Sequence, residues 1–200
     1  MRFRIQAFAI LFFLVLSGAN AAPLTGIERG RLIAHLQMTG SWLADEVAGL
    51  TEDQINFHPA PDAWSILEVV EHLMVSEEIY WQDLRRALKD PPAGLDLRAY
   101  DDAILWYGID RSNREKAIPA EDVKGRLREP GPGIQAFQKL RAQMLQYART
   151  TKDDLRNHIV PRQRCDAYQW LLLISTHCQR HILQIREIKA SPGFPKGSGN

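Results

Sequence analysis

Four long segments of this 200-residue chain carry apolar residues at three- to four-residue spacing, and none shows the alternation of a half-buried strand. This spacing places the apolar side chains on one face of an α-helix. The segments cover residues 27–50, 64–89, 134–154 and 167–189. Amphipathic helices bury their apolar faces by packing against one another. The sequence therefore predicts an all-α four-helix bundle with a core of about residues 27–190, either up-and-down or with a crossover connection.

Turn-forming and capping residues set the expected ends of these helices. Asp62 or a neighbouring residue is the expected cap of the second helix. Asp166, with Gln169 three residues later, forms an approximate capping box before the fourth helix. Over residues 91–132 the helical pattern is interrupted by prolines and glycines, which predicts a long connection between the second and third helices. Short helical turns are expected within it around residues 97–106.

The first 21 residues have the pattern of a secretory signal peptide. Two arginines precede an uncharged apolar run, and Ala19 with Ala21 provides the small residues of a cleavage site before Ala22. The apolar run has about ten residues, short of the roughly twenty that a membrane-spanning helix needs. We therefore expect a periplasmic or secreted protein with one mature domain over residues 22–200 and no stable membrane insertion after cleavage. An uncleaved anchor is the alternative.

Charge and cysteine placement restrict the partners and the redox chemistry. The net charge of +1 is balanced along the chain without a basic stripe, so nucleic acid is not an expected partner. Cys165 precedes the fourth helix and Cys178 lies within it. The helical rise between them separates the two residues by roughly 20 Å, whereas a disulfide needs their Cα atoms within about 7 Å. Both are therefore predicted to be free thiols.

Three of the six histidines fall on the apolar stripes of two predicted helices. His177 and His181 stand one turn apart in the fourth helix, and His72 lies in the middle of the stripe of the second. Neutral imidazoles at this spacing can converge on one ion, and a buried imidazole without a partner costs free energy. The pattern predicts a divalent-metal site formed by these three residues, with a coordination position open to water or substrate. Histidines that form hydrogen bonds within the core are the alternative.

Two charged residues near this predicted site have candidate roles. Glu68 lies one turn before His72, so its carboxylate could orient an imidazole or act as a catalytic proton acceptor, or it could be a solvated surface group. Arg180 could face an anionic substrate or pair with an acidic neighbour. The other three histidines, His35, His58 and His158, are predicted to be ordinary surface or loop residues. Of these, His58 is the best placed to lie at the mouth of a pocket.

Several stretches of the chain resemble the DinB-like (DinB/YfiT-like) family of metalloproteins. Residues 64–73, which read WSILEVVEHL, are similar to the family's second-helix motif of a Trp-Ser-Ile start followed by a metal-binding histidine. Residues 177–185, which read HCQRHILQI, are similar to its last-helix histidine pair. The resemblance extends to residues 154–156 and 166–172, and so covers most of the predicted mature chain. Residues 162–165 depart from it, because a glycine turn is expected there in related chains.

The resemblance implies a four-helix bundle with a three-histidine site for zinc, nickel or a similar ion, often in a homodimer. Some relatives transfer or isomerise substrates with low-molecular-weight thiols, which are cytoplasmic, whereas this chain is predicted to be exported. We therefore expect an exported, metal-dependent enzyme of hydrolase or transferase type. A non-catalytic periplasmic protein that binds a metal or small ligand is the first alternative. A bundle with ordinary core histidines that works through partners is the second.

Overall fold

The computed structural model describes residues 23–113 and 116–196, so the predicted signal peptide lies outside the described residues. Helices dominate, which confirms the predicted all-α class, and the elements run in this order: α1 (Gly26–Val47), α2 (Glu52–Ile55), α3 (Ile66–Ala87), a 3-10 turn (Arg98–Tyr100), α4 (Asp101–Tyr107), α5 (Pro130–Thr150), β1 (Ile159–Val160), β2 (Cys165–Asp166) and α6 (Ala167–Lys189). None of the helices in these ranges has an apolar stretch long enough to cross a bilayer.

The four long helices pack in a ring in which α1 and α3 each contact both α5 and α6. Helices α1 and α3 follow one another among the long helices of the chain and yet occupy opposite corners, and so do α5 and α6. The bundle is therefore the crossover variant, since these two connections run diagonally across it. Placing α3 beside α6 brings the two histidine-bearing helices into contact.

Three of the long helices, α1, α3 and α6, begin with a reciprocal capping box. In it the cap side chain accepts from the backbone N–H of the third helical residue, and the side chain of that residue accepts from the backbone N–H of the cap. Ser65 and Glu68 form this pair at the start of α3, so the cap is Ser65, three residues after Asp62. The box of Asp166 and Gln169 at the start of α6 is confirmed. Helix α5 begins and ends about one turn earlier than predicted. A proline is tolerated at its first position, because the N–H that proline lacks would have no helical partner there.

The long connection between α3 and α5 contains the helical turns expected around residues 97–106, here the 3-10 turn and α4. Helix α4 packs against α6. At Gly108, a Cβ atom would stand 2.9 Å from Cβ of Thr176 and 2.9 Å from Oε1 of Gln179. Glycine is therefore what allows this part of the connection to lie directly on α6.

A buried ion-pair cluster holds the same connection to the end of the bundle. The Arg156 guanidinium donates to Glu28, to Asp101 at the start of α4, and to Asp166, with donor–acceptor distances of 2.7–2.9 Å. A second buried pair joins Glu77 and Arg141 between α3 and α5. Buried charges of this kind need such partners, because an unpaired charge in the interior carries a large desolvation cost.

Strands β1 and β2 form a short antiparallel hairpin that the sequence patterns did not predict. The segment with the missing glycine turn is its connection, and Arg164 there adopts a left-handed backbone conformation with φ of 52°. Cys165 on β2 and Cys178 on α6 are both buried free thiols, which confirms the prediction for them.

Candidate metal centre

Three imidazoles from two neighbouring helices converge on one point. Nε2 of His177 lies 3.3 Å from Nε2 of His72 and 3.1 Å from Nε2 of His181. One ligand nitrogen from each residue lies within 4.8 Å of the other two. His72 and His177 are buried and His181 is half-buried, as the apolar stripes of α3 and α6 predict. The structure thus brings together the three residues of the predicted metal set.

Hydrogen bonds on the outer side of the cluster set the tautomers of two rings. Nδ1 of His72 lies 2.9 Å from the backbone oxygen of Glu121, and Nδ1 of His181 lies 2.8 Å from Oε1 of Gln184. Both oxygens accept, so both Nδ1 atoms carry the proton. The Nε2 atoms of these neutral rings therefore direct lone pairs toward the centre of the cluster.

Burial keeps the three rings in the neutral form that binds metals. Loss of solvent lowers the pKa of His72 below its ordinary value. It also lowers the pKa of His177 and of His181 well below their ordinary value, and the neighbouring imidazoles add to the effect. Deprotonated nitrogens are what a divalent cation requires, so the site is ready to bind without first releasing protons at neutral pH.

A divalent ion would satisfy the inward-facing nitrogens better than the three histidines can satisfy one another. With the outer tautomers fixed, His177 has a single proton with which to satisfy the inward lone pairs of both His72 and His181. Its Nδ1 is buried and has no hydrogen-bond partner among the described residues. A zinc ion with nitrogen ligands at about 2.0–2.1 Å in tetrahedral geometry holds those nitrogens about 3.3 Å apart, close to the separations seen here.

Two aromatic rings pack against this cluster. The Trp64 ring centroid lies 4.9 Å from that of His72 and 6.3 Å from that of His181, nearly parallel to the latter. The Tyr80 ring meets the His177 ring edge-on at 5.3 Å. These contacts limit solvent and fix the planes of the imidazoles, so their nitrogens stay converged.

Glu68, the candidate catalytic residue, has its carboxylate in the cap of α3. Its Oε2 accepts from the backbone N–H of Ser65 at 2.9 Å and lies 3.7 Å from Nδ1 of His58. His58 and Glu68 line a small groove of about 160 Å³, which fits the expectation for His58 at a pocket mouth. A larger groove of about 510 Å³ lies between the end of α3 and the hairpin. None of the three clustered histidines lines either groove.

The remaining candidate residues are His35, Arg180 and His158, and His35 lies in a place different from the one expected. His35 is half-buried and its Nδ1 lies 2.6 Å from Oγ of Ser175, so it belongs to the polar interior. Among the described residues, Arg180 lines neither groove and forms no ion pair with an acid. It donates to the backbone oxygen of Tyr107, the last residue of α4, and to those of Asp110 and Asn113 in the segment that follows. His158 is half-buried at the start of the hairpin.

Sequence patterns missed two residues that support the cluster. Gln184 lies on the predicted stripe one turn after His181, so its spacing was a usable signal. Glu121 lies in the long connection, where no periodicity indicated that it would reach His72. Its contact depends on the path of that connection across the bundle.

Comparisons with known proteins agree with this fold. The sequence profile of the DinB superfamily matches residues 35–185. The uncharacterised protein YuaE from Bacillus subtilis (strain 168) is 28% identical over 155 residues, which cover 72% of this chain and 89% of YuaE. The structure of YfiT from Bacillus subtilis superposes with a TM-score of 0.58 at 19% identity, over 86% of this chain and 91% of YfiT. YfiT is described as a probable metal-dependent hydrolase with an unusual four-helix bundle topology. Because the family match spans most of its length, the chain belongs to the DinB superfamily.

Proposed function

We propose that this protein binds one divalent metal ion through His72, His177 and His181 and acts as a metal-dependent hydrolase. The observation that carries the proposal is the convergence of three neutral Nε2 atoms, two of which have their tautomers set by outer hydrogen bonds. Zinc and nickel are among the first-row metals that imidazole ligands suit. The description of YfiT, which shares the fold, supports the hydrolase class.

Three protein nitrogens leave room for a further ligand, which is the arrangement of catalytic rather than closed structural zinc sites. An ion bound there would supply Lewis acidity toward a carbonyl or phosphoryl group and would lower the pKa of water. The chain's own contribution is to hold the three imidazoles neutral and fixed, and to pack two aromatic rings against them. A transferase of the same site remains a second reaction class, with a thiol in place of water.

Glu68 is the residue that we propose as the proton acceptor of this reaction. Glutamine can accept the same bond from the Ser65 N–H but cannot take up a proton at neutral pH. The Glu68→Gln variant should therefore keep the stability of the parent, measured by thermal unfolding, and lose most of its hydrolytic turnover. Unchanged turnover would leave Glu68 with the capping role alone.

A non-catalytic metal-binding protein is the second candidate. The observation in its favour is that the two grooves are lined by none of the three histidines, while the aromatic rings of Trp64 and Tyr80 cover two sides of the cluster. Metal-loaded protein that binds tightly but does not hydrolyse a panel of activated esters, amides and phosphoesters would favour this candidate.

Metal uptake is the direct test of the site. Chelator-stripped protein should take up about one zinc or nickel ion per chain, measured by calorimetry and elemental analysis. Alanine at His72, His177 or His181 should each weaken binding by more than about a hundredfold, since two imidazoles hold such an ion poorly. The His35→Ala and His158→Ala variants are the controls and should bind like the parent. Parent-like binding by His177→Ala would mean that the ion sits elsewhere.

Export is a further part of the proposal and is supported by the order of basic, apolar and small residues at the start of the chain. Protein recovered from its native cell should come from the periplasmic or extracellular fraction and begin at or near Ala22. N-terminal sequencing of fractionated cells measures this. A cytoplasmic protein that retains Met1 would contradict export and would restore the thiol-dependent transferase as the better reaction class.

A further inference from the structure

We propose that Glu121 is a positioning residue that fixes the orientation and tautomer of His72 from the connection between α4 and α5. The inference rests on the proposed metal site, because the nitrogen that it orients is one of the three proposed ligands. It concerns how strongly that site holds an ion.

Glu121 makes its contact with His72 through the backbone rather than through the side chain. Its carbonyl oxygen lies 2.9 Å from Nδ1 of His72, and both residues are buried. A carbonyl only accepts, so the bond requires Nδ1–H and leaves the lone pair on Nε2, which faces the other two imidazoles. If that carbonyl moved away, the ring could place its proton on Nε2 and present an N–H to the ion.

The Glu121 side chain fixes that carbonyl in place. Tyr80, which lies two turns after His72 on α3, donates its hydroxyl to Oε2 of Glu121 at 2.9 Å. Arg162, in the β1–β2 turn, donates to Oε1 of Glu121 at 2.8 Å and to Asp83 on α3 at 2.8 Å. The carboxylate is therefore held by the helix that carries His72 and by the hairpin beside it.

The described backbone hydrogen bonds around Glu121 are local to its own turn. This residue lies in a turn, where its N–H donates to the Ile118 oxygen at 2.8 Å, and it belongs to no helix or strand. The side-chain hydrogen bonds to Tyr80 and Arg162 therefore hold this carbonyl in position, although no helix or strand contains it. Arg162 also lies 5.5 Å from the Tyr80 ring, so the two donors support each other.

Asp122 makes it possible to separate the effect of placing the Glu121 carbonyl from the effect of a negative charge near His72. Burial lowers the pKa of His72, and the negative charges of Glu121 and Asp122 both oppose that shift. Asp122 is exposed, and no described hydrogen bond of its side chain reaches α3 or the hairpin. Removing its carboxylate therefore removes a similar charge near the site without releasing the carbonyl.

The experiment compares Glu121→Ala with Asp122→Ala in the full mature protein, with zinc as the probe. Neither change deletes the backbone carbonyl. Zinc affinity, measured by competition with a chromophoric chelator well below the unfolding temperature, should fall by about 10- to 100-fold for Glu121→Ala, the range for loss of groups that orient metal ligands. Asp122→Ala should change it by less than about threefold. Glu121→Met keeps a similar volume but offers no oxygen to Tyr80 or Arg162, and it replaces the first variant if that one does not fold.

A second readout follows the tautomer in the metal-free protein. The ¹⁵N shifts of His72 should show a protonated Nδ1 in the parent and in Asp122→Ala, and a mixture of tautomers in Glu121→Ala. Loss of stability alone would not move these shifts in the folded protein. Parent-like affinity together with an unchanged tautomer in the Glu121 variants would overturn the inference and leave the metal site standing. If the parent itself binds no zinc, the proposed function fails, and the tautomer comparison alone decides whether Glu121 positions His72.

Discussion

Arg164 adopts a left-handed backbone conformation, with φ of 52°, in the turn that joins β1 to β2. A residue with a Cβ atom is strained there by roughly 1–2 kcal/mol relative to glycine. Its side chain is exposed, so little packing compensates for this strain. The turn exists because the two strands pair Val160 with Cys165, which leaves only four residues to reverse the chain.

The Arg164→Gly variant should therefore be more stable than the parent by about 0.5–1 kcal/mol, once the larger entropy of glycine in the unfolded chain is subtracted. Chemical denaturation with an unchanged m-value measures the gain. Arg164→Ala removes the same side chain but keeps the strain, so it should not gain stability. An equal gain in both variants would attribute the effect to the arginine side chain instead.

At the level of single residues, the sequence predicts which histidines converge better than it predicts the residues that orient them. His72, His177 and His181 stand on apolar stripes, and a stripe records directly which face of a helix is buried. Glu121 acts through its backbone oxygen, and such a contact cannot be predicted from the type of residue because every residue has this oxygen. The described partners of Arg180 are also backbone oxygens, so residue type could not predict them.

Helix α4 lies on α6 through a contact that only a residue without a side chain permits. A Cβ at Gly108 would meet Cβ of Thr176 at 2.9 Å and Cα of that residue at 3.2 Å, and the latter is backbone that cannot rotate away. Gly108→Ala should therefore push α4 off α6 and cost about 1–3 kcal/mol. Thermal and urea unfolding measure the loss.

Gly40 provides the matched control for this prediction. It lies inside α1, and a Cβ built there meets nothing within 4 Å. Gly40→Ala should therefore stabilise the protein by up to about 1 kcal/mol, through helix propensity alone. Opposite signs for the two variants are expected. A gain at both positions would show that α4 shifts at little cost.

The elements that the sequence predicts are the ones with many turns of regular pattern. Helix α6 begins after its predicted cap, Asp166, and ends at the predicted Lys189, because the apolar stripe and the capping box agree. Strands β1 and β2 have two residues each, which is too short for alternation to appear. The diagonal placement of α1 and α3 could not be predicted either, since an apolar face does not specify which helix covers it.

At the scale of the whole molecule, the cluster makes folding sensitive to pH. Burial lowers the pKa of His177 and of His181 well below 6.5, their ordinary value. The unfolded chain exposes both rings and titrates near that ordinary value. Between the folded and unfolded pKa values, the unfolded chain therefore binds more protons than the folded protein.

Stability of the metal-free protein should consequently rise with pH through this window and be complete above about pH 7.5. As pH falls below about 6.5 the free energy of unfolding should fall, by at most about 1.4 kcal/mol per pH unit for each of these histidines. Urea unfolding at several pH values between 5 and 8 measures the slope, with chelator present throughout. His177→Ala should flatten it by one histidine's share and the double variant with His181→Ala by more, whatever their overall loss of stability. Parallel curves for parent and variants would mean that these rings accept protons as readily in the folded protein as in the unfolded chain. That result would remove the evidence that the site is held in its metal-binding form.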